Sequence, residues 1–186
     1  MNILVIALSG IGDALMFTPS LIKLKEEIPN AEIDVLVMFK GVKDIYENLP
    51  QISKVKYFDF LKSSKIKSLS YVLKLRNKYD VTINIYPSNR REYNLISRII
   101  GAEKRLAIKY LRKDFLNFGF LNNTRLLEND NLHNVEENFL LSEKLIGKKS
   151  DSIPPLKLNL GNDDTAFADN FYMKNSISNK SFNREK

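Results

Sequence analysis

An open, doubly wound α/β fold built on a parallel sheet is what this sequence predicts, and three observations carry the prediction. Residues 2–8 (NILVIAL) are a continuous apolar, β-branched run, the pattern of a strand buried on both faces. The run stops at Ser9-Gly-Ile-Gly-Asp13, where two glycines let the chain turn tightly into a helix. Strand-like and helix-like stretches then alternate, which is how parallel βαβ units are assembled.

Taken in order, residues 14–28 space their apolar side chains by three and four, giving a helix in which Pro19 marks a kink or restart. Pro29-Asn30 ends it, and residues 32–38 (EIDVLVM) form the second strand, completing a βαβ unit. A short helix over 42–48, a strand over 54–58, a helix over 66–79 and a strand over 81–85 follow. Residues 91–100 form a helix closed by Gly101, and 105–108 a fifth strand. Asn134 is placed to cap a helix running to Ile146, with Glu137 as its capping-box partner and Gly147 as its stop. The strand at residues 3–7, apolar at every position, belongs near the centre of the sheet.

The domain expected is residues 1–150, followed over 151–173 by a linker with Pro154-Pro155, a brief extended segment and a last helix. Residues 174–186 hold only Ile177 and Phe182 as apolar anchors, too little to offset the entropy of ordering them. No internal repeat is present. With 186 residues, 44% hydrophobic and 27% charged, the chain suits one unit with a real core and excludes wholesale disorder.

The absence of cysteine excludes disulfides and thiolate chemistry, and a lone His133 excludes a multi-histidine metal site. Only carboxylates could hold a metal, and neither a metal nor a cofactor is expected. No apolar run reaches the roughly 18 residues of a membrane span, and residues 1–8 lack a basic leader, so a cytoplasmic protein is expected. The net charge of +7 is uneven, since residues 54–114 carry 16 Lys+Arg against five Asp+Glu. Such a stretch can meet nucleic acid, anionic headgroups or a phosphorylated substrate.

In open α/β sheets ligands sit beyond the carboxyl ends of the strands, at the point where strand order reverses. Ser9, Gly10, Gly12 and Asp13 follow the first strand, with helical N–H groups behind them. One reading makes the glycines mere turn formers and Asp13 a helix cap; the other makes Asp13 a general base. Arg90 and Arg91, after Pro87-Ser88-Asn89, occupy the same edge. No dinucleotide fingerprint is present, because position 15 is Leu15, and no Gly-Lys-Ser/Thr follows to make a P-loop. His133 suits a helix end better than catalysis, and Asn84 sits in a strand, either half-exposed or bonded near the crevice.

Residues 3–13 (ILVIALSGIGD) with Thr18-Pro19 and Leu24-Lys25, the segment 79–85 (YDVTINI), and His133-Asn-Val-Glu136 opening a helix that ends at Leu145-Ile-Gly147 together resemble glycosyltransferase family 9, the ADP-heptose:lipopolysaccharide heptosyltransferases. The resemblance spans residues 1–173. It implies a Rossmann-like domain, the N-terminal, acceptor-binding half of a GT-B fold, with a donor-binding half expected beyond residue 186 and absent here. It implies inverting, metal-independent transfer from a nucleotide sugar such as ADP-heptose, with Asp13 as the base and Ser9, Gly10, Gly12, Arg90 and Arg91 around an anionic glycolipid or glycan acceptor. Peripheral contact with the cytoplasmic face of the inner membrane, a separate donor domain as partner, and no transfer by these residues alone are further expectations. Many members carry a basic residue where this chain has Ala7. Two other readings remain beside it. One is a basic nucleic-acid-binding module, though no RNP-type aromatics or recognition helix accompany the charge. The other is a stand-alone nucleotide-binding protein, which lacks the phosphate motifs.

Overall fold

The computed structural model describes residues 1–159 and 161–175, so the expectation for the tail beyond 175 lies outside the described residues. Six strands form one fully parallel sheet: β1 (Asn2–Ala7), β2 (Glu32–Val37), β3 (Lys54–Tyr57), β4 (Val81–Asn84), β5 (Lys104–Lys109) and β6 (Thr124–Leu127). Their spatial order is β3-β2-β1-β4-β5-β6, a doubly wound, Rossmann-like sheet whose order reverses between β1 and β4. Central β1 pairs on both sides, Ile3 standing opposite Ile33 of β2 and Val81 of β4.

Because strand side chains alternate between faces, β1 feeds two cores. Ile3, Val5 and Ala7 pack with Phe17, Leu21, Leu24, Val42, Tyr46 and Leu141 of the helices α1 (Ile11–Met16), α2 (Thr18–Glu27), α3 (Lys40–Glu47) and α6 (Asn134–Ile146) and of the α1–α2 joint. Leu4, Ile6 and Leu8 pack with Val72, Leu75, Tyr93, Ile96 and Ile100, contributed by α4 (Lys65–Leu73), its trailing turn and α5 (Arg91–Ile100). A seventh helix, α7 (Asn162–Lys174), follows the linker. Just before that linker Lys148 pairs with Glu27 at 3.0 Å, and along it the Lys157 N–H donates to Thr18 Oγ1 and Asn159 Nδ2 donates to the Asn48 carbonyl.

Several details differ from the sequence expectations. The helix expected over 14–28 is two helices parted at Phe17, with Pro19 near the start of α2, where its missing N–H costs nothing. Strand β6 is an addition to the expected elements; it is a four-residue edge strand, largely half-exposed, in an Asn-rich stretch. A single 3₁₀ turn, Gly119–Leu121, precedes it.

The cap of α6 is His133, one residue earlier than expected: its Nδ1 accepts the Val135 N–H and its own N–H donates to Glu136. Glu137 is instead buried, where it accepts the Asn129 N–H. Burial raises the Glu137 carboxyl above its ordinary value; the Asn129 N–H opposes this, and Glu128 and Asp130 add to it. A folded-state value above the unfolded one means that ionising Glu137 costs the folded state more, so its share of stability is lost as pH rises from the ordinary glutamate value through the raised one. Glu137→Gln keeps an acceptor for Asn129 and should therefore flatten the fall in stability as pH rises above the ordinary glutamate value, as read from urea midpoints.

The cleft beyond strands β1 and β4

Beyond the carboxyl ends of β1 and β4 lies an open cleft of about 540 Å³, lined among others by Ser9, Gly10, Asp13, Ser88, Asn89 and Arg90. Its position follows from topology, because the crossovers leaving β1 and β4 turn to opposite faces and leave a gap between their loops. Tyr93 holds the two loops together: its hydroxyl, on the first turn of α5, donates to the Leu8 carbonyl at 2.7 Å. Burial pushes the Tyr93 phenol upward, so it remains a donor throughout the physiological range.

Asp13 is half-buried on α1. Its Oδ2 accepts the Gly10 N–H at 3.3 Å, while its Oδ1 has no hydrogen-bond partner among the described residues. The carboxylate thus caps its own turn with one oxygen and keeps the other free. Ser9 Oγ is buried without a partner among the described residues. The loop after β4 is fixed from below by Asn138, whose amide accepts the Tyr86 N–H and donates to the Tyr86 carbonyl. From the side, the Ser88 N–H donates to Tyr110, Asn89 Nδ2 donates to the Arg112 carbonyl, and Asn117 Nδ2 donates to Asn89.

Of the residues singled out in the sequence, Ser9, Gly10, Asp13 and Arg90 line this cleft, whereas Gly12 and Arg91 do not. Gly12 lies in the first turn of α1, and Arg91, one residue past Arg90, starts α5 and is exposed. Neither Gly10 nor Gly12 has a left-handed backbone, and a Cβ at either would meet nothing within 4 Å. Their smallness is therefore not needed by the protein itself. Gly12→Ala should raise stability by about 0.5–1 kcal/mol through helix propensity, measured by thermal unfolding.

The other two segments quoted for the resemblance serve the scaffold. Asp80 accepts the Asn2 N–H at 2.7 Å and Tyr79 donates to Asp34, both at the opposite end of the sheet, while His133 and Glu136 cap α6. Of the two alternatives for Asn84 the buried one holds: it donates to Asn94 of α5, next to Tyr93, and is not among the residues lining the cleft. Sequence reasoning missed Tyr93, Met38, Phe39 and Leu61, which also border the cleft; an aromatic on a helix and an apolar strand end read simply as core. A neighbouring apolar groove of about 490 Å³ between α4 and α5 shares Leu8, Met38, Leu61, Arg90 and Tyr93 with it. Among the described residues no three acidic or histidine side chains gather as a metal site, and no helix is long and apolar enough to cross a membrane.

No protein-family model and no curated protein sequence matches the chain. Solved structures do. A glycosyl transferase family 9 protein from Veillonella parvula superposes with a TM-score of 0.76 at 20% identity, covering 96% of this chain and 50% of that one. The E. coli ADP-heptose LPS heptosyltransferase II gives a TM-score of 0.71 at 18% identity, over 96% of this chain and 52% of that one. E. coli heptosyltransferase WaaC with ADP gives 0.65 at 19%, over 86% and 50%. The chain thus spans about half the length of the structures it matches, and it carries the Rossmann-like fold found in half of a family 9 glycosyltransferase.

Proposed function

We propose that this domain is the acceptor-binding half of an inverting glycosyltransferase that moves a sugar from a nucleotide-sugar donor, ADP-heptose or a similar one, onto lipopolysaccharide core or a related surface glycan. The observation that carries the reading is Asp13 Oδ1, an unpartnered carboxylate oxygen on the wall of an open cleft at the switch point of the sheet. A carboxylate so placed can accept the proton of an acceptor hydroxyl as that oxygen attacks the anomeric carbon and the nucleoside diphosphate departs on the far side. Arg90, at the start of α5 on the β4 side of the cleft, offers a cation to the phosphates or carboxylates of the acceptor. Gly12 and Arg91 stand outside the lining, on the first turns of α1 and α5. No step in this scheme asks for a metal or a resident cofactor, and the acceptor is met at the cytoplasmic face of the inner membrane.

Departure of a nucleoside diphosphate needs donors for its developing charge, and in this reading a donor-binding half supplies them. Residues 1–186 alone are therefore expected to bind acceptor without transferring sugar. Mixing them with a donor-binding half of a family 9 enzyme and following sugar incorporation into a phosphorylated core saccharide tests the proposal. Transfer by the pair with inversion at the anomeric carbon supports it. Robust transfer by residues 1–186 alone, or tight nucleic-acid binding with no affinity for the saccharide, contradicts it.

A further inference from the structure

Helix α4 shows water a side that a soluble helix ordinarily buries. Ile66, Leu69 and Leu73 are 82%, 48% and 46% exposed, and Leu61 in the loop before the helix is 70% exposed. At about 100° per residue, the three helical side chains fall within about 60° of one another and form a stripe. Val72 and Leu75, on another side, already pack into the core, so the stripe is not the helix's inward face. Isolated apolar side chains on a surface need no explanation, but a continuous stripe does.

The charges on the segment that carries it are all of one sign, the nearest acids being Asp59, which accepts the Leu61 and Lys62 N–H groups, and Glu92 of α5 in the neighbouring groove. Residues 60–78 contain Lys62, Lys65, Lys67, Lys74, Arg76 and Lys78 and no Asp or Glu. All six are exposed, and none forms an ion pair among the described residues. On the helix Lys67 and Lys74 lie to one side of the stripe and Lys65 to the other, so cations flank an apolar centre. A nucleic acid would satisfy the cations and leave the aliphatic side chains in water. An ordinary protein surface would cover the aliphatic side chains but would have to supply acids on both flanks. An anionic bilayer offers both at once, with headgroups for the lysines and an acyl layer a few ångströms deeper.

We propose that α4 is an interfacial membrane helix: Ile66, Leu69 and Leu73, together with Leu61, enter the outer acyl layer of an anionic lipid surface while the flanking lysines meet its headgroups. Leu61 borders both the Asp13 cleft and the α4–α5 groove, so docking through this face brings the cleft mouth to headgroup level. Delivery of a membrane-held acceptor rests on the proposed function; insertion of α4 does not, and it is measured without donor or acceptor.

The chain contains no tryptophan, so Leu69→Trp places a single indole reporter on the stripe. Its emission should shift to the blue and strengthen with phosphatidylglycerol-rich vesicles, and should change little with phosphatidylcholine vesicles. The double change Ile66→Ser and Leu73→Ser, made on exposed sites, should weaken vesicle partition about tenfold or more while leaving the melting temperature unchanged. Indole emission unaltered by phosphatidylglycerol vesicles overturns the proposal. So does partition undiminished by the two serines, which would mean attraction by charge alone, and so does an indole response to nucleic acid but not to vesicles.

Discussion

In an enzyme completed with a donor-binding half, Asp13→Asn should lower kcat by about 10²-fold or more. The substitution is close to isosteric, and the amide oxygen can still accept the Gly10 N–H that the carboxylate accepts at 3.3 Å, so the turn between β1 and α1 should persist. What disappears is the proton acceptor at Oδ1. Loss of the base appears in kcat and leaves the acceptor KM nearly unchanged, because the NH2 that replaces Oδ1 can donate a hydrogen bond to the hydroxyl oxygen in the ground state but cannot take its proton. Steady-state kinetics in acceptor concentration separates the two. An undiminished kcat would reduce Asp13 to a helix cap.

The largest effect on stability is expected away from the cleft, at Asn94. This buried amide on α5 accepts Nδ2 donors from Asn84 of β4 at 3.2 Å and from Asn122 at 2.7 Å, and it donates to the Asn117 carbonyl at 2.8 Å. Three segments, the strand, the helix and the loop before β6, thus meet on one side chain. Asn94→Ala removes the shared acceptor and the donor together. The Asn84 amide is then left buried without a partner, while Asn122 keeps a long contact to the Gly119 carbonyl. The half-buried Asn117 carbonyl loses its donor as well, and at about 1–3 kcal/mol for each of these two orphaned groups a loss of about 2–6 kcal/mol is expected from urea unfolding. A loss under about 1 kcal/mol would show that water enters and replaces the amide.

Why some of this is legible in the sequence and some not is visible in particular residues. The strand β1 can be read because Ile3 to Ala7 are apolar at every position, a demand that only burial on both faces makes. Helix α5 ends at Gly101 and α6 at Gly147, with φ of 76° and 78°, where glycine is strongly favoured. The cleft can be located because parallel topology alone puts the ends of β1 and β4 side by side. By contrast, the joint at Phe17 is invisible in spacing, since its ring is fully buried where periodicity asks for an apolar residue anyway. Strand β6 escapes notice because an edge strand of Thr-Arg-Leu-Leu meets few of the demands of a central one. The amides of Asn94, Asn122 and Asn138 look like surface residues in a row of letters, and only tertiary pairing gives them partners. The exposed stripe of α4 is a different case: its lysines stand out as a basic stretch, but which of its leucines face water depends on how the helix packs.

The central claim is that the gap between β1 and β4 receives the acceptor with Asp13 at its wall, and amide NMR of the chain titrated with a phosphorylated core saccharide tests it most directly. Shifts concentrated at Ser9, Gly10, Asp13, Asn89 and Arg90, saturating with ligand and weakening with salt, are the result predicted. Shifts confined to the far side, around Leu127 and Lys144 where another surface depression lies, or no shifts at any saccharide concentration, would contradict it.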